Sequence, residues 1–255
     1  MPASLRVEDR PGGVRALTLS NPGRKNAIDS GLLEQLDEVL AHSEPVRAFL
    51  VLGDGDGVFS AGWDLNDLST YEEGERLPDE HLGEVLDRLM RHPAPSVAVI
   101  DGPCFGAACE LALSCDFRVA GPRALLSMPP ARLGVVYSLG GLDRFREKVG
   151  DATTRYLFLT GRRLDADESL RRGLVDVLST EPLGDATTLC AELAGNAPLA
   201  IAGLKQGLSL LATGGGTKAE RDEYQALRRR SFNSADAAEG RLAILEKRAP
   251  AFRGA

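Results

Sequence analysis

Histidine is scarce in this chain of 255 residues: His42, His81 and His92 are the only three, and none stands near a cysteine or in an H-E-x-x-H pattern. That spacing argues against a protein-built zinc site. The four cysteines (Cys104, Cys109, Cys115 and Cys190) form no C-x-x-C pair, so they read as small core residues. No G-x-S-x-G nucleophile elbow occurs, which removes the usual signal of a serine hydrolase. Positive charge is also short, with a net charge of -7, so no basic field exists to hold nucleic acid or an anionic membrane. No apolar run approaches the roughly 20 residues of a membrane helix. The first residues lack the basic-then-apolar plan of a signal peptide, so a cytoplasmic location is expected.

What is present is ordinary globular composition, 43% hydrophobic and 26% charged, enough to bury a sizeable core. Residues 13–19, 46–52 and 96–100 are short apolar or alternating runs bounded by Gly, Pro or Asp, and read as strands. Between them lie helical patterns, the clearest being Leu82, Val85, Leu86, Leu89 and Met90, closed by Pro93. The alternation predicts an α/β chain. Beyond about residue 180 the strand signals stop, and 198–211, 218–230 and 235–247 read as helices, the first opened by Pro198. Gly53 to Gly57 tempts a reading as a phosphate or calcium loop, but Val58 stands where either would need Gly or a ligand. A plain turn is expected there.

Chemistry is expected in two small-residue turns that each precede a helical pattern. Val58 to Leu65 is one, and Asp101 to Leu113 is the other. If two such turns face each other, their free N–H groups make an oxyanion site. Glu110 lies in the second, inside a helix with no polar face. Its carboxylate therefore reads as partly buried, where desolvation raises the pKa toward that of a general base, or else as an acid favouring the helix dipole.

Five ordered segments resemble the crotonase superfamily, the enoyl-CoA hydratase/isomerase family. They are Leu19 to Ala27 (L-x-x-P-x-x-x-N-A), Phe59 to Leu65 (F-[SA]-A-G-x-D-[LI]), Gly102 to Glu110 followed by Cys115-Asp116, Leu133-Gly134 with Gly140-Gly141, and Leu245 to Phe252. The resemblance implies a crotonase-like spiral of ββα units over 1–195 holding the CoA-thioester site, and a C-terminal helical region over 196–255 that makes a homotrimer or a hexamer of paired trimers. It implies an acyl-CoA thioester substrate, no permanently bound cofactor, and coenzyme A only as part of the substrate. The amides of Trp63 and Ala107 correspond to the family's oxyanion donors and Glu110 to its acid/base. Lys25, Ala61, Asp64, Leu65, Lys247 and Phe252 correspond to CoA-site positions, the last two sometimes serving a neighbouring subunit.

The hydratases' second glutamate aligns here with Pro130, which transfers no proton, and Ser138 occupies the aspartate position of dienoyl isomerases. Tyr137, in Gly134 to Ser138, resembles the G-V-P-Y segment of methylmalonyl-CoA decarboxylase, where the tyrosine is a site residue; a packing aromatic is the other reading. Three functions follow as expectations. The first is an enolate-forming hydratase or isomerase with Glu110 as sole carboxylate, the second a decarboxylase of a malonyl- or methylmalonyl-type CoA, the third a silent acyl-CoA-binding paralogue.

Overall fold

A computed structural model describes residues 3–42, 45–55, 57–68 and 76–254. Six strands make the main sheet: β1 (Ser4–Arg10), β2 (Val14–Ser20), β3 (Ala48–Gly53), β4 (Ser96–Ile100), β6 (Phe117–Ala120) and β9 (Val177–Leu178), in the order β1-β2-β3-β4-β6-β9. β1 runs antiparallel to β2, and the others pair in parallel. A second, three-stranded sheet is formed by β5 (Pro103–Phe105), β7 (Leu125–Ser127) and β8 (Arg163–Asp165). The three strands read from sequence are β2, β3 and β4.

Successive side chains along a strand point to opposite faces, and both faces of the main sheet are apolar. Val14, Ala16, Leu50, Val97 and Val119 on one face pack against Ala186, Cys190 and Ala194 of α8 (Pro182–Gly195). Leu17, Leu19, Phe49, Val51, Ala98 and Ile100 on the other belong to the larger core under α1 (Ser30–Ala41), α3 (Pro78–Arg91) and α4 (Ala107–Ser114). α3 buries Leu82, Val85, Leu86 and Leu89, the stripe its periodicity predicts. Burial of each such side chain is worth roughly 1.5–3 kcal/mol. All four cysteines are free and buried, and burial pushes the thiols of Cys115 and Cys190 up to about 12, so they serve as core residues.

The remaining helices are α2 (Leu65–Leu68), α5 (Pro130–Leu133), α6 (Leu139–Thr160), α7 (Ala166–Arg171), α9 (Pro198–Ala212), α10 (Lys218–Phe232) and α11 (Ala235–Glu246). α6 is broken at Gly150, whose φ is 76°. Pro198 begins α9 as its sequence suggests. The turn after β3 carries Gly55 and Gly57 at positive φ, while Asp56 lies outside the described residues. Among the described residues no helix is long and apolar enough to cross a membrane.

Candidate active site

The two small-residue turns do face each other. Ile28 N–H donates to Gly62 O (2.8 Å) and Asp64 N–H to Ile28 O (2.7 Å), a parallel bridge that turns the Trp63 amide away from Ile28. Gly62, at φ 96°, is what permits the approach: a Cβ there would stand 2.5 Å from Phe105 O and 3.6 Å from Ala107 N. Ala107 is the first residue of α4, so its amide has no partner within the helix. The Trp63 peptide and the Ala107 amide are thus neighbours, as an oxyanion pair requires. The Trp63 indole Nε1–H donates to Asp67 Oδ2 (3.1 Å), which ties the ring to α2.

Every residue of α4 is buried, Glu110 included at 1% exposure. Tyr137 O–H donates a short hydrogen bond to Glu110 Oε2, and Arg144 Nη1 donates to Oε1 at 2.8 Å. Arg144 is itself buried, its Nη2 donating to Gly83 O and Asp87 Oδ1, both at 2.7 Å. Burial pushes the Glu110 carboxyl above the ordinary value and outweighs the Tyr137 hydrogen bond and the Arg144 charge, which pull it down. Burial also drives the Tyr137 phenol well up, and the adjacent Glu110 adds to this, so the hydroxyl keeps its proton. The Tyr137 hydroxyl is thus satisfied by Glu110 rather than by backbone, and its ring meets Phe158 edge-on at 5.5 Å. Gly141 makes room for both groups: a Cβ there would meet Tyr137 Cε1 at 2.4 Å and Glu110 Oε1 at 3.1 Å.

The neighbouring loop offers no second carboxylate. Pro130 is buried as the first residue of α5, and Ser138 caps α6, its Oγ accepting from Gly141 N–H at 3.2 Å while its own N–H donates to Asp79 Oδ2 at 3.0 Å. Sequence reasoning passed over Arg144, Asp87 and Gly83. A signal existed: a carboxylate in an apolar helix needs a cation, and Arg144 lies one helical turn beyond Gly141.

Lys25, Ala61, Asp64 and Leu65 come together beyond the carboxyl ends of β2 and β3. Ala61 N–H donates to Lys25 O (2.9 Å), and Lys25 and Asn26 hold positive φ of 53° and 54°. Asn26 secures that turn through Nδ2–H bonds to Asp54 O and Val58 O. Lys25 and Leu65 are exposed. Burial raises the proton affinity of the Asp64 carboxyl, but hydrogen bonds from Arg24 (2.6 and 2.7 Å) and Asn66 N–H prevail and hold it low. Phe252 lies elsewhere. Its carbonyl accepts from Arg47 Nη2 (3.3 Å) beside the amino end of β3, and its ring covers Gly240 of α11. Lys247, exposed at φ 55°, follows α11 in the same region. Within one chain the structure does not bring Phe252 to Lys25 and Trp63.

A sequence profile described as enoyl-CoA hydratase/isomerase matches residues 9–255. The chain belongs to this family. It is 35% identical to the carnitinyl-CoA dehydratase of Proteus mirabilis, with 100% of both chains covered. Among solved structures, the enoyl-CoA hydratase of Bacillus anthracis superposes with a TM-score of 0.91 at 26% identity, over 99% of this chain and 100% of that one. DspI of Pseudomonas aeruginosa superposes at 0.89 with 31% identity, over 98% and 97%. The fold is that of the crotonase superfamily, and the family acts on CoA esters.

Proposed function

We propose that this chain moves a proton at the carbon next to a CoA thioester, through an enolate whose oxygen is held by the Trp63 and Ala107 amides, with Glu110 as the sole carboxylate acid/base. The observation that carries the reading is the buried Glu110 carboxylate joined to the Tyr137 hydroxyl close to the Gly62–Ala107 contact. The α-proton passes to Glu110 Oε2 and the electron pair moves into the thioester oxygen. Return of that proton to the γ-carbon completes an isomerisation, and its transfer to a departing β-hydroxyl, which leaves as water, completes a dehydration. Each oxyanion amide is worth about 2.7–4 kcal/mol in comparable sites, and the N-terminus of α4 adds its dipole.

A second reading, decarboxylation of a malonyl- or methylmalonyl-type CoA, is favoured by Pro130. Loss of CO₂ creates the enolate without a base, and the Tyr137 hydroxyl, kept protonated, can quench it. Residues 1–195 carry this chemistry in our reading, and 196–255 assemble the protomers into a homotrimer or a hexamer of trimers. The exposed Leu204, Leu208 and Leu211 of α9 support such an assembly. In the assembly Lys247 and Phe252 would reach a neighbour's CoA site, while Lys25, Ala61, Asp64 and Leu65 hold the CoA of their own. No permanent cofactor is needed.

The test incubates the purified protein with crotonyl-CoA, a 3-enoyl-CoA, carnitinyl-CoA (the ester in the name of the Proteus relative) and methylmalonyl-CoA, followed by mass spectrometry and by ultraviolet absorbance of the conjugated enoyl thioester. A gain or loss of 18 mass units, or a shifted double bond, supports the first reading. Loss of CO₂ supports the second. A panel left untouched by a protein that binds the esters returns it to the silent paralogue.

A further inference from the structure

We propose that Arg144 is the positioning residue of this site: its Nη1 grips Oε1 of Glu110 and fixes the carboxylate so that Oε2 and the Tyr137 hydroxyl are turned to the substrate. The inference rests on the reading of Glu110 as acid/base. Its geometry is asymmetric. The Glu110 end of the pair is dry, both side chains being 10% exposed or less, whereas the Asp87 end is open, with Asp87 at 45%. Arg144 and Asp87 line a cavity of about 700 Å³ with Met90, Ile201, Leu204 and Lys205, and Glu110 does not. Solvent screens the Asp87 contact, whereas the Glu110 contact lies in the dry interior.

Gly83 reinforces this geometry. Its carbonyl accepts from Nη2, and a Cβ there would stand 3.4 Å from that nitrogen, so α3 provides a carbonyl and clearance for a planar, forked cation. The guanidinium plane is thereby set by two elements, α3 and α6, and Glu110 is the third corner.

Other groups act on the carboxylate or on its partners. Asp79 of α3 raises its proton affinity, and Tyr137, from the loop before α6, bonds it; Asp87 of α3 meets Arg144, and Cys109 of α4 acts on Tyr137. On the strands packed against α4, Cys104 is buried, and Arg118 is engaged by Asp176 and Cys115 O. Arg144 is therefore the positive charge bonded directly to Glu110. Without it, burial and the Asp79 charge are opposed by the Tyr137 hydrogen bond alone, and the Glu110 pKa rises further.

The experiment measures kcat, KM and the pH profile of Arg144→Gln, Arg144→Lys and Asp87→Asn on whichever ester the wild type turns over. In parallel, the Glu110 carboxyl is titrated by carbon-13 NMR in the resting protein, its signal assigned with Glu110→Gln. Arg144→Gln is expected to lower kcat at least about tenfold with KM within about threefold, and to move both the acid limb and the NMR titration to higher pH. Arg144→Lys should fall between it and the wild type. Asp87→Asn removes a negative charge and should move the titration the other way. A merely structural role predicts loss of stability in these variants with the Glu110 titration unmoved, and that result overturns the proposal. Should Arg144→Gln fail to fold, the opposite shifts of Arg144→Lys and Asp87→Asn decide. If the wild type turns over no ester, the function reading falls, while the NMR titration still judges the hold of Arg144 on Glu110.

Discussion

Two acids stand at opposite ends of α4, and their surroundings differ in kind. Asp116, just past the C-terminus, accepts on Oδ2 from Ser96 N–H (2.8 Å), Ser96 Oγ–H (3.0 Å) and Lys205 Nζ (2.6 Å). It ties β4 to α9 with fixed donors, one of them backbone. Glu110, in the first turn, receives a phenol and a guanidinium instead, at 1% exposure. The Asp116 carboxylate is thus engaged by a backbone amide, a serine and a lysine. The Glu110 carboxyl is buried beside a phenol that keeps its proton, and burial raises its own proton affinity. In our reading, α4 therefore has a structural acid just past one end and a reactive one near the other.

The strongest way to break that contrast is Glu110→Gln, nearly isosteric but unable to take a proton. We expect kcat to fall roughly 10²–10⁴-fold, about 2.7–5.5 kcal/mol, with little change in ester affinity. Steady-state kinetics checks it, and activity within about threefold of wild type would make Glu110 as structural as Asp116. The pH profile carries a sign. Because burial raises the Glu110 pKa, the acid limb of kcat/KM should lie above the ordinary glutamate value. Its contribution to stability runs oppositely. A raised folded-state pKa favours the fold fully below the unfolded value, and that contribution is lost as pH rises through the folded one, where the base becomes active.

The converse substitution is Asp116→Ala. It removes the acceptor of the Ser96 donors and leaves the Lys205 ammonium with Ala94 O, which should cost about 1–3 kcal/mol of unfolding free energy in urea titration. Activity per folded molecule should be retained. Next comes Tyr137→Phe, which deletes the hydroxyl on Glu110 and should lower turnover at least about tenfold, roughly 1.4 kcal/mol. A turnover unchanged by this substitution would leave Tyr137 to its packing on Phe158.

The contrast at α4 was only half legible in the amino-acid order. Glu110 stood out because seven apolar or small neighbours surround it, and burial then follows from pattern alone. Arg144 did not, since the pair joins residues 34 apart and depends on room left by Gly83 and Gly141. The same physics divides the strands. β2, β3 and β4 lie in the middle of the sheet and carry apolar residues on both faces. β1 is an edge whose charged Arg6, Glu8, Asp9 and Arg10 face solvent or lie half-buried, so its sequence reads as polar. The two- and three-residue strands β5, β7, β8 and β9 are too short for any period to appear. The facing of the two turns depended on Gly62, whose role appears only once Phe105 is against it.

The smallest expected effect concerns a residue whose part in the reaction is assigned to its backbone. Trp63 donates to the substrate through its amide in our reading, while its indole is spent on Asp67 beside α2. Trp63→Phe keeps the amide and most of the ring area and deletes one half-buried hydrogen bond, so stability should fall only about 0.5–1.5 kcal/mol. Turnover should stay within about threefold, because the bridge to Ile28 that orients the amide uses Gly62 O and Asp64 N–H rather than the side chain. Thermal unfolding and kcat on the same preparation check both halves. A fall beyond about tenfold in kcat at unchanged stability would move the indole itself into the site, and would show that this turn, unlike Asp116, serves the reaction through a side chain.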